Sequence, residues 1–196
     1  MMRGVALATL TAALLAAPAA AQAPDAPVAV KDKRGDARGA LDIVRVALER
    51  GVDGRLRGEV TMAEDWATGD LRAPSGLQGS ICLQLYTRRQ PGEEPPDYLV
   101  CATPPAAGDE LVGRVLRDRA NGRPRSVAGA ALTRPTGRTL YLRFSQTSIG
   151  RPDAVRFSSE AVTRVARCPR PLGCRDTAPN APSTAGLTLR SETPPG

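Results

Sequence analysis

Three aspartates stand close together in a glycine-rich stretch near the start of the chain. Asp32, Asp36 and Asp42 all lie within residues 32–43. A loop of this kind can turn its carboxylates and carbonyls toward a hard cation such as Ca²⁺, which takes about six to eight oxygen ligands. A structural calcium site is therefore one interpretation. The alternative is a solvated turn in which Asp42 caps a strand end, and the three basic residues in the same stretch favour it.

The four cysteines offer a second kind of chemistry. An even number of cysteines in an exported chain predicts disulfides rather than free thiols. A turn at 91–92 between two predicted strands would place Cys82 opposite Cys101, and Cys168 and Cys174 would then close a short loop rich in proline and glycine. The alternative is a four-thiolate zinc site, but neither pair has the usual CxxC spacing.

Arginine is concentrated in one part of the chain. Residues 111–151 contain nine arginines and a single acidic residue, Asp118. Arginines on neighbouring strands would attract phosphate, sulfate or carboxylate polymers, with strong salt dependence. The candidate binding residues are Arg114, Arg117, Arg125, Arg134 and Arg143. The alternative to a binding surface is a codon bias that uses arginine at every solvated basic position. This alternative is favoured by the composition, because 25 of the 27 basic residues are arginine.

The composition excludes several catalytic classes. The chain has no histidine, which rules out a Ser-His-Asp or Cys-His relay, an HExxH zinc site and a histidine-ligated haem. A pair of carboxylates can hydrolyse glycosides without histidine. Here Glu64 and Asp65 beside Trp66, with Asp97 beside Tyr98, are the only acids near aromatic rings. Because adjacent residues of a strand face opposite sides, Glu64 and Asp65 are not automatically a pair, and we expect no catalysis.

Strands must position these residues, because a period of two dominates after residue 40. Eight or nine strands predict an all-β fold, an antiparallel β-sandwich of jelly-roll or immunoglobulin-like type with two disulfides. A single helical turn is expected at 67–71. The predicted strands are Leu41–Arg50, Arg55–Glu64, Ser80–Thr87, Tyr98–Thr103, Leu111–Arg117, Ser126–Arg134, Thr139–Gln146, Val155–Arg164 and Gly186–Arg190.

Two short motifs resemble secreted bacterial sandwich domains. The first runs from Asp32 through Gly35-Asp36, Gly39 and Leu41-Asp42-Ile43 to a glycine turn, an alternating strand and Trp66. It resembles the opening of domains in the DOMON-like and family-nine carbohydrate-binding-module-like group. The second, Gly173-Cys174-Arg175-Asp176 followed by Ala178-Pro179, resembles the endings of secreted sandwiches. The resemblance implies a module that binds sugars, haem or metal, or that connects other parts, although histidine ligation of haem cannot apply here.

The N-terminal segment predicts export. Residues 1–21 read as a signal peptide, with Arg3, an apolar stretch from Val5 to Ala17 and small residues before the expected cleavage after Ala21. The apolar stretch is shorter than the roughly 20 residues that a membrane-spanning helix needs. We expect a disordered start at 22–28, one domain at 29–190 and a disordered tail at 191–196. The expected location is secreted or periplasmic, without a membrane span in the mature chain.

These observations predict a binding protein rather than an enzyme. The expected function is binding of an anionic envelope or extracellular polymer, such as a polysaccharide, through the arginine-rich face. The alternative is a structural or interaction domain that pairs with another secreted protein. We expect no nucleic-acid partner, and no cofactor beyond the structural calcium considered above.

Overall fold

The computed structural model describes residues 26–37, 39–51, 53–74, 76–119, 122–164, 168, 174–180 and 182–189. The predicted signal peptide and C-terminal tail lie outside these residues, as does most of the predicted disordered start. The strands are β1 (Val28–Lys31), β2 (Ile43–Arg50), β3 (Arg55–Met62), β4 (Ser80–Tyr86), β5 (Tyr98–Thr103), β6 (Val112–Arg117), β7 (Arg125–Gly129), β8 (Ala131–Thr133), β9 (Thr139–Ser145), β10 (Ala154–Thr163), β11 (Cys174–Ala178) and β12 (Ala185–Thr188). Two single turns of 3₁₀-helix lie at Thr68–Leu71, as predicted, and at Gln146–Ile149.

The strands form two sheets in which all neighbouring strands run antiparallel. Sheet A has the order β1-β2-β3-β9-β8. Sheet B has the order β11-β10-β4-β5-β6-β7, and β12 pairs with the first half of β10 on the edge that β11 uses further along. The all-β antiparallel fold is therefore confirmed.

A single apolar core joins the two sheets, and strand alternation builds it. In β9, Leu140, Leu142 and Phe144 are buried, whereas Arg143 between them is exposed. From sheet B, alternate residues of β4 such as Leu83 contribute to the same core. Each fully buried side chain of this size stabilises the fold by about 1.5–3 kcal/mol. The opposite face of each sheet is turned toward the solvent, and charged residues such as Arg143 lie there.

The predicted single strand Ser126–Arg134 is wrong, because the structure divides it between the sheets. β7 pairs with β6 in sheet B, and β8 pairs with β9 in sheet A. Ala130 lies at the corner between them and donates its N–H to the carbonyl of Gly113 at 3.1 Å. A Cβ at Gly113 would lie only 2.1 Å from the oxygen of Ala130, so glycine permits this close crossing.

The predicted count of eight or nine strands is also too low, because the described residues contain twelve. β1 and β11 were not predicted. β11 has the sequence CRDTA, which carries no apolar alternation, so its pairing partner β10 rather than its own pattern makes it a strand. The other predicted strands end within two residues of the observed ones.

Both predicted disulfides are confirmed. Cys82 and Cys101 are direct register partners in β4 and β5, with their Cα atoms 4.0 Å apart. Cys168 is bonded to Cys174, the first residue of β11. No free cysteine is left, so the alternative of a four-thiolate zinc site does not apply.

Candidate functional site

Five exposed arginines lie on one hairpin at the edge of sheet B. We call residues 112–129, which comprise β6, β7 and their connection, the arginine hairpin. Two of its arginines, Arg119 and Arg123, lie in the connection between the strands. Its exposed arginines are Arg114, Arg117, Arg119, Arg123 and Arg125.

The register of the hairpin brings two of these arginines face to face. Arg117 of β6 is the direct partner of Arg125 in β7. Directly opposed residues of an antiparallel pair project from the same face with Cβ atoms about 4.5–5.5 Å apart, and like charges there are destabilising. Arg114 lies three residues before Arg117 and pairs with Cys101 and Gly129. By the alternation of the strand it projects from the opposite face.

The arginine hairpin has no carboxylate of its own to neutralise it. Within the part of the chain that the structure describes, none of its five exposed arginines forms an ion pair. Its single acidic residue, Asp118, is instead bound by Arg89, whose Nη1 lies 2.9 Å from Asp118 Oδ2. The guanidinium groups of the hairpin are therefore available to an external anion.

The other two predicted binding arginines lie elsewhere and have partners. Arg134 stacks on Trp66 with its Cζ 3.9 Å from the ring centroid, and it donates to the carbonyl oxygens of Trp66 and Gly137. Arg143 of β9 is paired with Asp53. The structure thus brings together Arg117 and Arg125 of the predicted set, places Arg114 on the other face of the same hairpin, and separates Arg134 and Arg143 from them.

On the outer face of sheet A, by contrast, arginines are paired with glutamates. Nη2 of Arg57, in β3, lies 2.7 Å from Oε1 of Glu49. The same guanidinium group lies over the ring of Tyr141, with its Cζ 4.7 Å from the ring centroid. Arg45 of β2 lies 2.9 Å from Glu59. Cross-strand pairs of opposite charge stabilise a sheet, so these arginines serve the fold.

Asp97, considered above for catalysis, is a buried hydrogen-bond acceptor beside the point where β6 ends and the connection of the arginine hairpin begins. It is buried, and its Oδ2 accepts the backbone N–H groups of Thr87, Arg88 and Arg89 at 2.9–3.1 Å. Burial favours the neutral carboxyl, but these hydrogen bonds outweigh it, so the pKa of Asp97 is lowered. The carbonyl of Asp97 accepts the N–H of Asp118, which fixes the end of β6.

The other two acids that we considered for catalysis lie on the surface. Glu64 is 3.7 Å from Arg34, and Asp65 is 3.2 Å from Arg138. Both have exposed side chains. Neither position is an enclosed site of the kind in which a carboxyl serves as a catalytic acid.

Two of the three predicted calcium ligands, Asp36 and Asp42, come together with an aspartate that was not predicted, whereas Asp32 lies beside this group. One carboxylate oxygen from each of Asp36, Asp42 and Asp176 lies within 4.8 Å of the others. The side-chain nitrogen of Asn180 donates to Asp36 at 2.9 Å and to Asp32 at 3.1 Å, which places Asp32 beside this group. We call Asp32, Asp36, Asp42 and Asp176 the aspartate cluster.

The aspartate cluster spans both sheets. Asp42 immediately precedes β2 of sheet A, and its Oδ2 accepts the N–H of Gly35 at 2.7 Å. Asp176 lies in β11 of sheet B, and its two oxygens accept the N–H groups of Ile43 and Thr177. Burial raises the pKa of Asp176 to about 6, opposed by the N–H of Ile43 and reinforced by the negative charge of Asp36. The cluster is therefore an electrostatically unfavourable arrangement as it stands.

Sequence reasoning missed Asp176 and Asn180 as members of this cluster. Asp176 is 133 residues from its hydrogen-bond partner Ile43, so no local spacing reveals the contact. One usable signal was Cys174 two residues earlier, because a disulfide-anchored segment is expected to be held against the body of the domain.

The structure also contains a proline-lined cleft of about 340 Å³ beside Tyr86. Among its described lining residues, Tyr86 is the single aromatic ring, and the exposed acids Glu93 and Glu94 lie at the same cleft. One largely buried ring is a weak platform for stacking a sugar. We therefore do not assign the cleft a ligand.

The described residues include no helix with the length and apolar character needed to cross a membrane. Comparison with known proteins finds no matching family model, no matching curated protein and no matching solved structure. The resemblance to DOMON-like and family-nine carbohydrate-binding-module-like domains therefore stays a prediction. Any function has to be inferred from the two charged clusters of this chain.

Proposed function

We propose that this protein is an exported, non-catalytic β-sandwich that binds an anionic extracellular polymer through its arginine hairpin. The polymer is an envelope or extracellular polysaccharide that carries phosphate, sulfate or carboxylate groups. The signal-like segment at 1–21 and the two disulfides support export, since disulfides persist in oxidising compartments. In such a compartment, anionic polysaccharides are a more available partner than nucleic acid.

The observation that supports this proposal is the direct opposition of Arg117 and Arg125, neither of which forms an ion pair with a carboxylate of the described residues. A fold gains nothing from this arrangement, because like charges directly across a strand pair repel. A bound phosphate, sulfate or carboxylate would reverse the sign of that interaction. The planar guanidinium fork also matches the oxygens of such groups with two parallel hydrogen bonds.

The arrangement of the remaining arginines suits a polymer rather than a single small anion. Arg119 and Arg123 continue the positive charge along the connection of the hairpin, and Arg114 extends it on the other face. Several exposed charges on one hairpin give cumulative, salt-dependent attraction to a chain of anionic groups. Two large apolar side chains are exposed among the described residues, Leu77 and Val127, so this surface offers no broad apolar patch for a protein partner.

The test is elution from immobilised heparin by a salt gradient, with charge-matched variants. The variant R117Q/R125Q removes the opposed pair, and R45Q/R57Q removes two paired arginines from adjacent strands of sheet A. Both lose the same net charge. We expect the wild type to be retained beyond physiological salt, R117Q/R125Q to elute at clearly lower salt, and R45Q/R57Q to elute close to the wild type.

Equal shifts for the two variants would show that net charge alone, rather than the arginine hairpin, causes retention. Failure of the wild type to be retained at physiological salt would overturn the proposal. The alternative, a structural domain that pairs with another secreted protein, would then be the remaining hypothesis. Circular dichroism of both variants would verify that they are folded.

A further inference from the structure

The aspartate cluster concentrates more negative charge than the described residues around it neutralise. Asp42 and Asp176 are each only 7% exposed. Within the described residues, no lysine or arginine forms an ion pair with any of the four aspartates, and Arg34 of the same loop is directed to Glu64. Buried charges are normally paired or bound to a metal, so a neutralising cation is expected here.

An orphaned oxygen points to a ligand independently of the charge count. Oδ1 of Asp42 is buried, and no hydrogen-bond donor among the described residues reaches it; the same holds for Oδ2 of Asp32. A buried acceptor left without a partner costs about 1–3 kcal/mol. A capping role for Asp42 would explain its other oxygen, which accepts the N–H of Gly35, but it leaves Oδ1 unexplained.

The spacing of the oxygens fits one cation. Two oxygens that bind the same Ca²⁺ at about 2.3–2.6 Å lie at most about 5 Å apart. The oxygens of Asp36, Asp42 and Asp176 meet this condition, since they lie within 4.8 Å of one another. These separations are compatible with one ion shared by the three carboxylates.

The chemistry of the donors selects the kind of metal. Every side chain of the cluster offers oxygen, and all four cysteines are in disulfides, so soft metals that prefer sulfur or imidazole are disfavoured. The loop that carries Asp36 also contains Gly35 and Gly39 with φ of 82° and 114°, a conformation that glycine adopts without strain. Calcium accepts irregular, oxygen-rich sites of this kind, whereas magnesium demands a near-ideal octahedron.

We propose that Asp36, Asp42 and Asp176 bind a calcium ion, with Asp32 next to the site. The ion would join the loop between β1 and β2 of sheet A to β11 of sheet B. This connection lies close to the Cys168–Cys174 disulfide, which anchors the start of β11. Calcium would thus cross-link sheet A to sheet B at this point, independently of the arginine hairpin.

The experiment is thermal unfolding and calcium binding of the mature, disulfide-bonded chain after removal of metals with a chelator. We expect calcium to raise the melting temperature and to bind with a stoichiometry of one, as measured by isothermal titration calorimetry. Magnesium at the same concentration should produce a clearly smaller shift. Identical melting temperatures in calcium and in chelator, together with no binding heat, would overturn the proposal. Equal responses to the two metals would overturn the assignment to calcium.

Two variants make the test specific. In D42N, the amide oxygen can still accept the N–H of Gly35, and the amide nitrogen replaces the orphaned oxygen. We expect D42N to melt at or above the wild-type temperature in chelator, yet to lose about tenfold or more in calcium affinity. A D42N protein that is destabilised in chelator as much as in calcium would indicate a purely structural aspartate.

The exposed Asp36 supplies a second variant, D36N, which is expected to fold and to bind calcium with similarly reduced affinity. The control is D109N, because Asp109 is a fully exposed carboxylate in another loop. Its calcium response should equal that of the wild type. A loss in D109N equal to that in D36N would attribute the calcium effect to general surface charge and contradict the site.

Discussion

The arginine hairpin and the aspartate cluster are two concentrations of like charge that differ in their exposure. The arginines are exposed, and water and salt screen their repulsion, which amounts to about 1 kcal/mol or less at such distances. Asp42 and Asp176 are buried, where a bare charge is far more costly. An exposed excess of charge can therefore serve association with a partner at little expense to folding, whereas a buried excess has to be neutralised within the fold.

The largest expected loss of stability is for replacement of Asp97. This buried carboxylate accepts three backbone hydrogen bonds, whereas Asp42 of the aspartate cluster has an oxygen without a donor among the described residues. Replacing Asp97 with Ala leaves the N–H groups of Thr87, Arg88 and Arg89 without their acceptor. We expect the free energy of unfolding to fall by about 3 kcal/mol in urea denaturation. If the Asp97→Ala variant lost no more unfolding free energy than D42N does in chelator, hydrogen-bond partners would not explain a difference between Asp97 and Asp42.

The pH dependence of the same residue sharpens this point. The pKa of Asp97 is lowered in the folded protein, so its stabilising contribution is fully present above the ordinary pKa. That contribution is lost as the pH falls through the lowered value. The difference in unfolding free energy between wild type and D97N should therefore shrink below about pH 4. A difference that stays constant from pH 7 to pH 3 would contradict the assigned role.

An intermediate effect is expected when calcium neutralises the aspartate cluster. Extracellular calcium sites commonly have dissociation constants of about 10⁻⁴–10⁻³ M, so about 10 mM calcium would stabilise the protein by about 1.5–3 kcal/mol. Urea denaturation with and without calcium measures this difference. The stability of R117Q/R125Q should respond to calcium as the wild type does, because its substitutions lie outside the cluster.

The smallest effect is expected from relieving the repulsion in the arginine hairpin itself. At low salt, R117Q/R125Q should be more stable than the wild type by about 0.2–1 kcal/mol, since a like-charge opposition is removed. The matched variant R45Q/R57Q should instead be less stable by up to about 1 kcal/mol, because it breaks two ion pairs of sheet A. Both differences should diminish in high salt. A destabilised R117Q/R125Q would mean that these arginines have a structural role.

The parts of the fold that were predicted correctly depend on local sequence. The turn at Pro91-Gly92 sets the register of β4 and β5, so the pairing of Cys82 with Cys101 follows from residues near one another in the chain. The division of residues 126–134 into β7 and β8 was missed, because the strand-like sequence pattern continues through Ala130, where the chain passes from one sheet to the other. Which sheet each half joins depends on β6 and β9, and no local pattern encodes that choice.

The sequence by itself determined the all-β class, both disulfides, the excess of arginine in 111–151 and the three aspartates of one loop. Only the tertiary structure decided which charges are neutralised. It gave Arg134 and Arg143 partners, left Arg117 and Arg125 opposed, and brought Asp176 to Asp42 from the far end of the chain. The physical reason is that nearby residues carry the alternating pattern of most strands, whereas the energy of a charge depends on distances and burial that arise only when the sheets pack together.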